Sequence, residues 1–132
     1  MLGVDWWGQK GRDEMQGQRI RSFKELVVWQ EAMAVAKVVY ALTAAFPREE
    51  RYGLTAQPRR SVVSVPSNIA EGQARGHRAE YRQFLYVALG SLAEAETQLL
   101  LAKDLEMTTA IEVVIGQIGQ LRQKLLRLAR AL

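Results

Sequence analysis

Apolar residues at Tyr81, Leu85, Ala88, Leu92, Ala95, Leu99 and Ala102 step by four and three without a break. An α-helix turns once every 3.6 residues, so this run sets all of these side chains on one narrow stripe; a strand would scatter them over both faces. A second run, Ile111, Val114, Ile118, Leu121, Leu125, Leu128 and Leu132, keeps the same rhythm. Two long stripes of this kind are buried only against further helices. The chain therefore reads as all-α.

The predicted helix limits complete that reading. Ser22-Phe23-Lys24-Glu25 forms a capping box, in which the Ser22 hydroxyl accepts from the Glu25 amide and the Glu25 side chain reaches back. The first helix then runs to about Phe46, where Pro47 ends it. It carries two apolar stripes: Leu26, Trp29, Met33, Ala36 and Tyr40, and beside them Val28, Ala32, Val35, Val39, Leu42 and Phe46. A single partner surface needs a narrower arc, so one side faces the core and the other a second subunit. Either stripe can take either role, which makes Trp29, Val28, Val35, Val39 and Phe46 the interface candidates.

The second helix is predicted from Glu49 to Glu71, with a seam of Leu54, Val62, Val65 and Ile69, and with Gly72 as its C-terminal cap. Pro58 and Pro66 fall inside it. An interior proline costs about 3 kcal/mol, so tertiary packing must hold this helix, and a bend is expected near Pro66. After a turn at 72–77, the third helix spans Arg78 to Asp104, with Gly90 in its middle as the mark of a close backbone neighbour. A second capping box, Thr109-Ala110-Ile111-Glu112, starts the fourth, on which Gly116 and Gly119 lie off the seam and mark another close contact. Four helices of matched length joined by short turns give an antiparallel up-down four-helix bundle over 21–132, with the second helix bent at proline. Residues 1–20 have four glycines, no apolar period and an isolated Trp6-Trp7 pair. They read as a flexible N-terminal extension, upstream of a start at Met15; the alternative docks both tryptophans on the domain.

Most catalytic chemistry lacks its residues. There is no Cys, which removes disulfides, thiolate metal ligands and a cysteine nucleophile, and His77 is the one histidine. A di-iron bundle needs Glu-x-x-His pairs, and no acid stands three residues before His77. Glu94 and Glu96, two residues apart on one helix, point to different faces. No enzyme, no cofactor and no metal is expected. No apolar stretch is long enough to span a membrane, and no signal peptide begins the chain, so a cytoplasmic location is expected.

Charge is the remaining lead. The chain carries 18 Lys and Arg against 14 Asp and Glu, a net +4. The excess concentrates at Arg59, Arg75, Arg78 and Arg82, and at Arg122, Lys124, Arg127 and Arg130, with no acid after Glu112. Guanidinium groups match phosphate geometry, so these eight are the candidate contacts to nucleic acid. A polar line at helical spacing, Gln57, Arg60, Ser64, Asn68 and Glu71, has two readings. It supplies ligand groups, or it forms an interhelical network closed by Glu94; the small Ser64 and Asn68 beside the apolar seam favour the network.

Several strings together carry a resemblance: Phe23-Lys24-Glu25-Leu26-x-x-Trp29; Phe46-Pro47-x-Glu49-Glu50-Arg51-Tyr52-Gly53-Leu54-x-x-Gln57-x-x-Arg60; Ser64-Val65-Pro66-Ser67-Asn68-Ile69-Ala70-Glu71-Gly72; and Tyr81-x-x-Phe84-Leu85-x-x-Ala88-Leu89-Gly90-Ser91-Leu92-x-Glu94. The chain resembles the four-helix bundle proteins encoded in intervening sequences of bacterial 23S ribosomal RNA genes. Pro58 departs from that family's pattern, standing where an apolar helix former is usual, so the second helix either runs unbroken or begins near Pro58. The resemblance implies a homopentameric ring. At fold level it also implies likeness to the accessory pentamers of diversity-generating retroelements, which bind nucleic acid and a nucleic-acid-processing protein, a reverse transcriptase. The leading expectation is thus a non-enzymatic homo-oligomer that binds structured RNA or DNA through a basic surface. The alternative is a protein-interaction scaffold or accessory subunit with no direct nucleic-acid role. Aspartate at Trp29 or Val35 puts a charge into desolvated apolar surface and is expected to break the oligomer or the fold, read as a drop in solution mass or in helicity.

Overall fold

The computed structural model describes residues 21–132; the expected extension, with Trp6 and Trp7, lies outside the described residues. Four helices follow in order: α1 Val27–Thr43, α2 Ala56–Ala74, α3 Arg78–Asp104 and α4 Glu112–Ala131. Short 3-10 turns occupy Phe23–Glu25 and Arg48–Glu50. There is no strand among the described residues. Arg59 near the start of α2 bonds to Thr43 at the end of α1, and Arg82 near the start of α3 bonds to Leu132 just past α4. Each helix therefore runs against its neighbour. α1 packs on α2, α2 on α3 and α3 on α4, and α4 closes on α1, which completes the up-down-up-down bundle.

The two seams make the core. Tyr81, Leu85, Ala88, Leu92, Ala95, Leu99 and Ala102 of α3 are all fully buried. So are Val114, Ile118, Leu121 and Leu125 of α4, while Ala129 takes the buried position expected of Leu128. Each large aliphatic side chain buried this way contributes about 1.5–3 kcal/mol. Burial also pushes the Tyr81 phenol above the ordinary tyrosine range.

The helix ends depart from the expected caps. The Ser22 hydroxyl accepts from the Lys24 amide at 3.2 Å, and the Glu25 carboxylate accepts from the Arg21 amide at 3.2 Å. Together they stabilise the 3-10 turn, after which Leu26 is extended and α1 starts at Val27. The turn lets Leu26 and Phe23 fold into the core cluster, and Gln30 Nε2 satisfies the Lys24 carbonyl at 2.9 Å. α1 then stops at Thr43, before the expected Phe46. No side-chain cap forms at Thr109. α4 begins at Glu112 behind the buried Ile111, and Thr108 Oγ1 accepts from the Ala110 amide instead.

α2 starts at Ala56, so Pro58 sits in its first turn, where a missing N–H leaves no intrahelical bond unmade. Of the two sequence alternatives, the helix beginning near Pro58 is the one adopted. Pro66 lies inside α2, which stays helical through it. Gly72 is not the cap. It lies within the helix, where an added Cβ would sit 2.6 Å from Phe84 Cβ and 3.3 Å from the Tyr81 ring, so glycine there is required by close approach of α3. The terminating residue is Gly76, at φ +74°. Gly90 and Gly116 have no neighbour within 4 Å of an added Cβ, and Gly119 only Arg122 at 4.0 Å, so the close contacts expected there are not made within the subunit.

The end of α3 is a Schellman motif. The Met107 amide donates to the Ala102 carbonyl and the Glu106 amide to the Lys103 carbonyl, both at 2.9 Å. Glu106 holds the left-handed position at φ 62°, where a Cβ is strained. Glu106→Gly is expected to raise stability by about 1 kcal/mol. Gly72→Ala is expected to lower it by about 1–3 kcal/mol through overpacking. Denaturant midpoints at unchanged slope check both.

Candidate functional site

The two stripes of α1 part only in places: Leu26 and Ala36 of the stripe that holds Trp29 are buried in the core with residues of the other, while Trp29, Met33 and Tyr40 stay partly or largely exposed. Val28, Ala32, Val35 and Val39 are buried in the subunit's own core, and Phe46 joins Leu54 and Ala102 in a smaller cluster at one end. Four of the five expected interface residues, Val28, Val35, Val39 and Phe46, are thereby committed inside the subunit, because bundle closure against α4 and α2 uses that stripe. Trp29 lies on the other one. With Met33, Ala36 and Tyr40 it forms one wall of an open groove of about 640 Å³, whose other wall is Val63, Pro66 and Ala70 of α2. Lys37 and Ser67 are its polar lining. Trp29 is steadied by an edge-on contact with Phe23 at 5.3 Å between ring centroids. Tyr40 and Val63 remain 44% and 42% exposed.

The next face, between α2 and α3, is polar. Ser64 and Ser91 share a hydrogen bond of 2.9 Å, and Asn68 Nδ2 donates to the Ser64 carbonyl at 2.8 Å and its hydroxyl at 2.9 Å. Ser61 donates to Gln98 Oε1 at 3.1 Å. Gln57, Arg60 and Glu94 line the same cleft, of about 350 Å³. Ser61, Ser91 and Gln98 are members that sequence reasoning missed. Their signal was the spacing: Ser61 precedes Ser64 by three, and Gln98 follows Ser91 by seven. Glu71 stands outside the cleft's hydrogen bonds, paired with Arg75 at 2.9 Å. No ion pair joins Arg60 to Glu94 among the described residues.

Most of the eight candidate phosphate contacts already have partners. Arg59 Nε donates to Thr43 Oγ1 at 2.8 Å, its Nη2 donates to the Tyr40 carbonyl at 3.1 Å, and its guanidinium stacks on the Tyr40 ring at 4.5 Å. It caps the carbonyl end of α1, where the helix dipole favours a cation. Arg75 lies between Glu71 and Glu80 and over Phe84, and the hydrogen bond it donates to the Glu71 carboxylate holds it more firmly protonated. Arg78 and Arg82 donate to the Ala131 and Leu132 carbonyls at 3.3 and 2.8 Å. Arg122 pairs with Glu96, and Lys124 with Glu31. Only Arg127 and Arg130 have no such partner among the described residues. They sit three apart on α4, both exposed, on one helix face.

Among the described residues, no three or more His, Cys, Asp or Glu side chains are grouped to hold a metal ion. No helix among them is long and apolar enough to cross a membrane.

Arg59→Ala removes two hydrogen bonds and a stacked cation at a helix end, and is expected to cost about 1–3 kcal/mol of stability. Arg130→Ala, on open surface, is expected to stay within about 0.5 kcal/mol. Thermal or denaturant melts of the two variants check the contrast.

Comparison with known proteins adds one match. The model of a family described as 23S rRNA-intervening sequence protein matches residues 24–127. No curated protein matches the chain.

Proposed function

The chain belongs to the 23S rRNA-intervening sequence protein family, and from that premise we propose that it is a non-enzymatic, self-assembling bundle, a ring of five copies, that holds structured RNA or DNA by its phosphates. One observation carries the assembly. The second stripe of α1 ends in an open groove, where Tyr40 and, from α2, Val63 are exposed and Trp29 and Met33 are partly so. A contiguous apolar face of this kind marks an interaction site far more often than a bare surface. The family name denotes no enzyme. Glu96 is tied to Arg122, and His77 is exposed at the start of α3 with no acid hydrogen-bonded to it among the described residues.

Phosphate binding is supported by α4. Arg127 and Arg130 are free to make paired hydrogen bonds, and no acid follows Glu112 to oppose them. Two cations per subunit bind weakly, but a closed ring repeats the pair on every copy, and linked sites multiply affinity without new contacts. A second reading, a protein-docking scaffold for a nucleic-acid-processing partner, is favoured by the other cations. Arg59, Arg75, Arg78, Arg82, Arg122 and Lys124 are already bound inside the subunit.

The Arg127→Glu/Arg130→Glu double variant separates the two. Nucleic-acid binding is expected to weaken at least about tenfold, one lost charge-assisted contact per subunit being enough for that, while the solution mass stays that of the wild type. Wild-type affinity for an RNA hairpin is expected to fall steeply between about 50 and 300 mM salt through counterion release. Salt-independent affinity, or a double variant that binds like the wild type, overturns phosphate binding. No binding at low salt leaves the scaffold.

A further inference from the structure

The buried seam of α3 has a twin. Five residues further along, Tyr86, Gly90, Ala93, Thr97 and Leu100 repeat the same four-three-four-three spacing, and every one of them is exposed. Tyr86 and Leu100 at its two ends stand 47% and 41% open. Between them Gly90 has nothing within 4 Å of where a Cβ would be. Glycine inside a helix costs stability, and within this subunit no close approach offsets it. A helix with one stripe in the core and a second in water, small in the middle and bulky at its ends, has the form of a surface that receives other helices at short distance.

A second apolar face among the described residues is the α1/α2 groove. Closed rings of identical chains need two different patches that fit one another, since a patch that fits only itself stops at a dimer. The unpaired charges beside the two faces are complementary. Lys37 lines the groove, and Arg51 and Arg60 line the recess that continues it past Tyr40 and Val63. Glu94 and Asp104 flank the outward seam of α3. None of these charges is in an ion pair among the described residues.

Resting on the self-assembly proposed above, we infer that the outward seam of α3 in one copy seats in the α1/α2 groove of the next, so that the repeating contact is head-to-tail. Groove and seam lie on different helix pairs, so each copy can give one and receive one.

Two arginine substitutions at exposed positions test this. Ala93→Arg spoils the seam and leaves the groove; Val63→Arg spoils the groove and leaves the seam. Each variant alone is expected to keep the helical circular dichroism of the wild type and to fall to the mass of a single 14.9 kDa chain. Mixed in equal amounts, well above the concentration at which the wild type assembles, they are expected to recover a species of two chains and no larger one. The intact groove of one then takes the intact seam of the other. If Ala93→Arg alone still forms dimers, the groove pairs with itself; if Val63→Arg alone does, the seam does; either overturns the head-to-tail contact. The contact is equally overturned if both variants keep the wild-type mass, or if both fall apart and the mixture recovers nothing. A wild type that is itself a single chain in solution defeats the self-assembly reading instead, a result distinct from all of these.

Discussion

Everything else in this bundle is arranged around the closeness of α2 to α3. At one end Gly72 has no side chain, and the Phe84 and Tyr81 side chains occupy the space. In the middle Ser64 meets Ser91, and at the other end Ser61 meets Gln98. Small residues let the two helices approach, and the hydroxyl pairs fix how far one can slide along the other. A larger residue at any of these points would push α2 outward and alter both faces it borders, the apolar groove with α1 and the polar cleft with α3.

The parts legible in the sequence are those set by long-range periodicity. The α3 seam lies in the core residue for residue, and the span Arg78–Asp104 is the one its apolar spacing gives. The α4 seam holds at every position but one: Ala129 is fully buried where Leu128 was expected, Leu128 packing against the core from its edge, and Leu132 is buried again. Caps were less legible, since a Ser-x-x-Glu string is equally at home in an isolated 3-10 turn, and the choice at Leu26 is made by burial. The two stripes of α1 were visible, but their assignment was not. Only packing against α4 shows that Val28, Val35 and Val39 face inward while Trp29 and Tyr40 are left at the rim. The second seam of α3 was legible in the same string as the first and was hidden by its small residues, which score poorly as hydrophobic.

The cations show why charge counts mislead. Net charge sums all ionic groups alike, whereas Arg59, Arg78 and Arg82 are placed where helices end and carbonyls lack partners. Arg122 and Lys124 tie α4 to its neighbours α3 and α1 through Glu96 and Glu31. Exposed pairs contribute little energy each, yet these link different helices at fixed heights and so set register. Of the eight cations singled out by the sequence, Arg127 and Arg130 alone stay unengaged among the described residues, a small basic surface on α4 turned away from the core stripe of that helix.

α2 is the element with the weakest claim to be helical by itself. Ser61, Ser64, Ser67 and Asn68 compete with the backbone for hydrogen bonds, and Pro66 removes the donor that would reach the Val62 carbonyl. Two of those side chains fold back on the helix: Ser67 donates to the Val63 carbonyl and Asn68 to the Ser64 carbonyl, both at 2.8 Å, and neither reaches the Val62 carbonyl that Pro66 leaves without its usual donor. Val62, Val65 and Ile69 then fix its inner face in the core. A helix held this way is rigid only while its neighbours are in place. Its outer residues, Val63 and Ala70, form the wall of the groove, so whatever fills the groove presses on the helix that most depends on being packed. On the proposed assembly, a neighbour seated in the groove would cover that wall and strengthen α2, and a firmer α2 would keep the groove in shape, coupling the subunit's own folding to its assembly.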